Sequence, residues 1–174
     1  MHLPNIVVMG VAGCGKSSIG KALAAALSAT YLEGDEFHPA ENIAHMAAGI
    51  ALTDADRAGW LKALAARLAQ GVAQGERMVL ACSALKRSYR DHLREGDPQL
   101  YFVHLSGSRE LIAERMSQRQ GHYMPLSLLD SQFRDLEPPG PDEKAYTCNI
   151  KAPPDVLYRQ VLDHLSGDTT PGSF

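Results

Sequence analysis

Four apolar residues, Ile6-Val7-Val8-Met9, run straight into Gly10-Val11-Ala12-Gly13-Cys14-Gly15-Lys16-Ser17. The octet fits G-x-x-x-x-G-K-[ST], and no other feature restricts the fold of this chain as much. The apolar run reads as a buried strand, and a helical stripe of Ile19, Leu23, Ala26 and Leu27 starts directly after the octet. Between strand and helix, Gly10, Gly13 and Gly15 let successive backbone N–H groups turn inward, and the helix start adds the positive end of its dipole. A loop of this kind cradles phosphate. Lys16 can then reach the β- and γ-phosphates of a nucleotide, and the Ser17 hydroxyl can take a ligand position on magnesium.

The same alternation continues along the chain. Strand-like runs at 30–32, 78–82, 100–105 and 145–150 are separated by helical patterns at 16–28, 40–47, 54–71, 87–94, 108–119, 126–136 and 155–165. This predicts an α/β fold, a five-stranded parallel sheet flanked by helices, in one domain over 1–174. Thr53-Asp54-Ala55-Asp56 reads as a capped helix start, followed by an apolar face of Trp60, Leu61, Leu64 and Leu68. The stretch 119–140 interrupts the rhythm with Gly121, Pro125, Pro138, Pro139 and Gly140, and reads as a small mobile lid or a plain surface excursion. The tail 167–174 is polar and contains glycine and proline, so it is expected to fray.

A net charge of -3 argues against a nucleic-acid partner, which calls for a basic surface. No apolar span is long enough for a membrane helix, and no signal-peptide layout opens the chain. The three cysteines, Cys14, Cys82 and Cys148, are odd in number and widely spaced. They fit reduced thiols and a cytoplasmic location better than a disulfide framework. The histidines show no metal-ligand spacing. Asp56-Arg57-Ala58-Gly59 matches D-x-x-G, but it opens a helix rather than closing a strand, so it is no guanine-nucleotide switch.

In open α/β sheets, ligands gather at the C-terminal ends of the strands, and three polar clusters fall there. After the second strand, Glu33-Gly34-Asp35-Glu36-Phe37-His38 permits a tight turn that points Asp35 into the crevice. There Asp35 can orient or deprotonate an attacking hydroxyl and hold a magnesium-bound water; alternatively it caps the next helix. His38 either bonds an acceptor hydroxyl or is an ordinary loop imidazole. After the third strand, Lys86 and Arg90 lie four apart at a helix start. With Arg57 they either meet an anionic acceptor such as a carboxylate or form a solvated basic face. Arg115 and Arg119, again four apart, lead into the presumed lid, where one guanidinium can face a base and the other the transferring phosphate.

With these clusters placed, the chain resembles the gluconate kinase (gluconokinase) family of small P-loop kinases from Ile6 to about Leu165. The most specific matches are Gly34-Asp35-x-x-His38-Pro39-x-x-Asn42, Leu52-x-Asp54-x-Asp56-Arg57-x-x-Trp60-Leu61 and Cys82-Ser83-Ala84-Leu85-Lys86-x-x-Tyr89-Arg90-Asp91. Gly121-His122-Tyr123-Met124-Pro125 and Ser131-Gln132-Phe133 are similar to the family's lid. The resemblance implies a fold like that of nucleoside monophosphate kinases and shikimate kinase, and a homodimer. The implied reaction is phosphorylation of D-gluconate by ATP with Mg²⁺, giving 6-phospho-D-gluconate. It places Gly13, Gly15, Lys16, Ser17 and Ser18 on the ATP phosphates, with Gly10 and Cys14 in the same loop. Arg115 and Arg119 match lid arginines, and Pro153 falls where the loop after the last strand borders adenine. Asp35, His38, Arg57, Lys86 and Arg90 fall where the acceptor binds.

Several positions depart from the family pattern. Glu33 stands where Asp is usual, His45 where Lys is frequent, and Ala51 and Gly59 replace common prolines. Cys14 replaces a small hydroxyl residue and is expected to make the phosphate loop oxidation-sensitive. The expected mechanism has Asp35 orient the terminal hydroxyl for in-line attack, with Lys16, Mg²⁺ and Arg119 absorbing charge. Two other readings remain: a kinase of this fold for shikimate, a related sugar acid or a nucleotide, and a non-catalytic nucleotide-binding regulator.

Overall fold

The computed structural model describes residues 3–118 and 125–167. Among them, β1 (Ile6–Met9) leads into α1 (Lys16–Leu27), and β2 (Thr30–Glu33) into a short 3₁₀ turn at Gly34–Phe37. Then come α2 (Ala40–Ala47), α3 (Asp54–Ala73), β3 (Met78–Ala81), α4 (Arg87–Gly96), β4 (Tyr101–Ser106) and α5 (Arg109–Ser117). The described chain ends with α6 (Leu126–Asp135), β5 (Ala145–Asn149) and α7 (Pro154–Gly167). The sheet is five-stranded in the order β2-β3-β1-β4-β5, every pairing parallel, with Val7 opposite both Leu80 and Phe102. The expected α/β architecture is therefore the observed one.

The four residues of β1 explain its central place. Successive strand side chains point to opposite faces. Ile6 and Val8 enter one core with Ile19 and Leu23 of α1, Ile112 of α5, Leu129 of α6 and Val161 of α7. Val7 and Met9 enter the other, with Trp60, Leu61, Leu64 and Leu68 of α3 and Leu93 of α4. A strand covered on both faces has to be apolar throughout, and all four of its residues are buried. At the start of α3, Thr53 accepts from the Asp56 N–H at 3.1 Å while the Asp56 carboxylate accepts from the Thr53 N–H at 2.9 Å. This reciprocal cap is the one its sequence promised, and it fixes where α3 begins beside the mouth of the site. No helix among the described residues is long and apolar enough to cross a membrane.

Candidate active site

Strands β1, β2 and β3 end together, and at that edge opens a cleft of about 630 Å³. Its walls bring together Gly13, Gly15, Lys16 and Ser17 from the glycine loop, Asp35 and His38 from the turn after β2, and Arg57 and Trp60 from α3. Gly15 is the N-cap of α1 with φ 96°, a left-handed conformation that favours glycine, and no side chain caps the helix start. The first-turn N–H groups are thus left as an anion-binding end. The Gly10 N–H donates to the Ser83 carbonyl at 3.2 Å and pins the loop to the end of β3. Lys16 Nζ donates to the Val11 carbonyl at 3.0 Å, folded over its own loop.

Gly34 is required by packing rather than by φ: a Cβ there would stand 2.4 Å from the Ala81 carbonyl oxygen. That close approach turns the chain sharply and leaves Asp35 exposed on the cleft wall. Trp60 Nε1 donates to the Gly34 carbonyl at 2.8 Å, and its ring stacks on His38 with centroids 4.1 Å apart. Asn42 Nδ2 lies 3.2 Å from His38 Nδ1 and donates to the Asp56 carbonyl at 2.8 Å. Accepting at Nδ1, a neutral His38 carries its proton on Nε2. Burial holds its pKa below the ordinary imidazole value, partly offset by the nearby Asp35.

Arg57 is buried along most of its length. Its Nη1 donates to the Tyr89 hydroxyl at 2.7 Å and to Asp135 at 3.1 Å. Burial opposes its charge, but Tyr89 and Asp135 outweigh that and push its pKa up. Nε and Nη2 make no hydrogen bond to another described residue. Tyr89 in turn donates to Asp54, which also accepts from Lys86 Nζ at 3.0 Å.

The expectation that Lys86 and Arg90 converge on the crevice is corrected. Lys86 is the N-cap of α4 with extended backbone, so the i,i+4 geometry of a helix does not apply to it, and its ammonium pairs with Asp54. Arg90 is fully buried. Its Nε and Nη2 clasp Glu143 at 2.8 and 3.1 Å, and its Nη1 reaches the Ala84 carbonyl at 2.9 Å. Ala84 has φ 45°, a left-handed conformation costing a non-glycine residue roughly 1–2 kcal/mol, and Arg90 holds it there. The guanidinium braces the β3–α4 junction from within.

Other predicted residues lie around the cleft rather than on its wall. Ser18 is exposed on the first turn of α1. Arg115 Nη2 donates to the Ile150 carbonyl at 2.5 Å, tying α5 to the loop after β5 that carries Pro153. Cys14 is only 3% exposed, which corrects the expected oxidation sensitivity, since a buried thiol is sheltered from oxidants. Arg119 and the motif 121–124 lie outside the described residues.

Two cleft residues make contacts that the sequence does not announce. Glu33 opens the polar cluster after the second strand and departs from the family pattern; its carboxylate accepts from Ser17 Oγ at 2.7 Å and from the Tyr31 hydroxyl at 2.5 Å. Its position as the last residue of β2, beside the glycine loop, was the available signal. Gln132 of α6 lines the cleft and accepts from the Ala12 N–H at 2.6 Å. Ser131-Gln132-Phe133 is similar to the family's lid, but nothing in that motif points to a partner 120 residues away.

A family model described as shikimate kinase matches residues 12–163. Gluconokinase of Gluconobacter oxydans (strain 621H) is 44% identical over 163 residues, 94% of this chain and 92% of that protein. Thermosensitive gluconokinase of Escherichia coli (strain K12) is 46% identical, covering 80% of this chain and 75% of that protein. Among solved structures, a gluconokinase from Sinorhizobium meliloti 1021 is 48% identical with a TM-score of 0.87, covering 94% of this chain and 92% of that one. Shikimate kinase from Aquifex aeolicus, 16% identical with a TM-score of 0.61 over 97% of this chain and 99% of that one, shares the fold.

Proposed function

We propose that this chain, which belongs to the gluconokinase family, transfers the terminal phosphoryl group of ATP to D-gluconate, yielding 6-phospho-D-gluconate. The single observation that carries the reading is one cleft with a phosphate loop on one wall and Asp35, His38 and Arg57 on the other. Its volume suits a polyol acid beside a triphosphate end. Asp35 orients the terminal hydroxyl and takes up its proton, while His38 donates from Nε2 to a sugar hydroxyl. Of the three cations considered for the gluconate carboxylate, Arg57 has the support of geometry. It lines the cleft and keeps Nε and Nη2 for a two-pronged contact. Lys16 swings from the Val11 carbonyl to the β- and γ-phosphates.

Ser17, Glu33 and Asp35 are hard oxygen donors and fit Mg²⁺. Among the described residues no group of three or more His, Cys, Asp or Glu forms a metal cage. That agrees with an ion held through one or two protein groups plus phosphates and water. When bound, Mg²⁺ neutralises charge on the phosphates. Ser17 Oγ would be its direct protein ligand, and Glu33 would orient that hydroxyl and the ion's waters. Family resemblance supports a contact of the Pro153 loop with the base and of Arg115 and Arg119 with the nucleotide. A homodimer in the cytoplasm completes the reading. Family resemblance supports the dimer, and three free, buried cysteines suit the compartment. Asp35→Asn tests the mechanism. We expect kcat to fall about 10²–10⁴-fold with the fold intact, and near-normal turnover would remove Asp35 from its role.

A further inference from the structure

Gln132 has no part in the chemistry assigned so far, yet it spans the gap between α6 and the phosphate loop. Its Oε1 accepts from the Ala12 N–H at 2.6 Å. The helix that presents it is fixed, because Leu129 is fully buried in the core, Asp130 pairs with Arg109, and Asp135 pairs with Arg57 at 3.1 Å. The loop is held on either side of Ala12, by the Gly10 N–H on the Ser83 carbonyl and by Gly15, whose carbonyl accepts from the Ile19 N–H of α1 at 3.1 Å. Two braced elements thus meet through one carboxamide.

A carboxamide both accepts and donates. Oε1 is occupied by Ala12, while Nε2 makes no hydrogen bond to another described residue, although Gln132 lines the cleft together with Lys16 and Asp35. Gln132 thus brings two N–H donors to the cleft that the phosphate loop and the acceptor wall share. Charge on a phosphoryl group in transfer is spread over its peripheral oxygens, and fixed donors at that point stabilise it. A terminal phosphate extending from the loop toward the acceptor wall would meet these donors.

We propose that Gln132 positions the terminal phosphate of the nucleotide: Oε1 holds the third residue of the loop, and Nε2 donates to an oxygen of the phosphate being transferred. The inference rests on the phosphoryl-transfer reading above and deepens it. Calorimetric binding of ADP and of a non-hydrolysable ATP analogue to the wild type, Gln132→Ala and Gln132→Glu tests it without any acceptor. Gln132→Ala should bind ADP within about twofold of the wild type and the analogue on the order of tenfold more weakly. Gln132→Glu keeps an acceptor for Ala12 but loses the donors and adds charge, so it should bind the analogue more weakly still. With gluconate present, both variants should lose about 10²-fold in kcat while the gluconate KM stays within about threefold.

An unchanged ratio of analogue to ADP affinity in both variants would overturn the proposal, as would equal weakening of the two nucleotides. Wild-type behaviour of Gln132→Glu would reduce Gln132 to a tether for the loop and would also overturn it. A wild type that distinguishes the two nucleotides through Gln132 but leaves gluconate untouched would sink the acceptor assignment and leave this inference standing.

Discussion

His104 shows how much a single side chain can couple stability to pH. It faces the core from β4, 3% exposed, and its Nδ1 has no hydrogen-bond partner among the described residues. Burial, reinforced by the nearby Arg90 charge, lowers its pKa from 6.5 to about 4. As pH falls, the unfolded chain takes up the proton first. The stability that His104 lends is fully present above about pH 6.5 and drains away toward pH 4. A shift of this size corresponds to about 3 kcal/mol. Denaturant titrations at pH 7 and pH 4.5 should show that loss in the wild type and a clearly shallower one in His104→Phe. Equal slopes in the two proteins would contradict the assignment.

At the scale of elements, α4 and the segment before β5 form one charged clasp that local spacing conceals. The Glu143 side chain is almost wholly buried, held by Arg90, by Arg94 Nη2 at 2.5 Å and by the Gly140 N–H at 2.7 Å. Burial alone would raise its pKa, but these partners hold it down at about 2. Removing one partner of a buried pair strands the other, at a cost of about 3–5 kcal/mol. Arg90→Met should therefore lower the denaturation midpoint markedly and leave the gluconate KM of the folded enzyme within about twofold. Arg57→Lys should do the reverse, raising the gluconate KM about tenfold or more, because a point charge cannot make a two-pronged contact. Exchange of these two outcomes would return Arg90 to the substrate and take Arg57 away from it.

This pair also marks the limit of sequence reasoning. Spacing placed Lys86 and Arg90 on one helical face, whereas the helix starts one residue after Lys86. Arg90 answers to a carboxylate 53 residues on, and Gln132 to an amide 120 residues back. Tertiary partners of that kind leave no local period. Glu33 was legible as the carboxylate just after the second strand, but its bond to Ser17 depends on how β2 lies beside α1.

Across the whole molecule, architecture was the most legible level. The two-faced burial of β1 demands an all-apolar run, and the capping box of Thr53 and Asp56 is written in four consecutive residues. The short turn at Gly34–Phe37 was not foreseen as helical, since it depends on how closely Gly34 approaches Ala81. These elements place a phosphate loop and an acceptor wall across one cleft, and the acceptor's identity is the central claim. It is tested most directly by incubating the protein with ATP, Mg²⁺ and, separately, D-gluconate, shikimate and related aldonic acids, following ADP release and the phosphorylated product by NMR. Rapid turnover of gluconate to its 6-phosphate, at least about a hundredfold above shikimate in kcat/KM, is the predicted result. No ADP release with gluconate, or preferential phosphorylation of shikimate, would contradict the account.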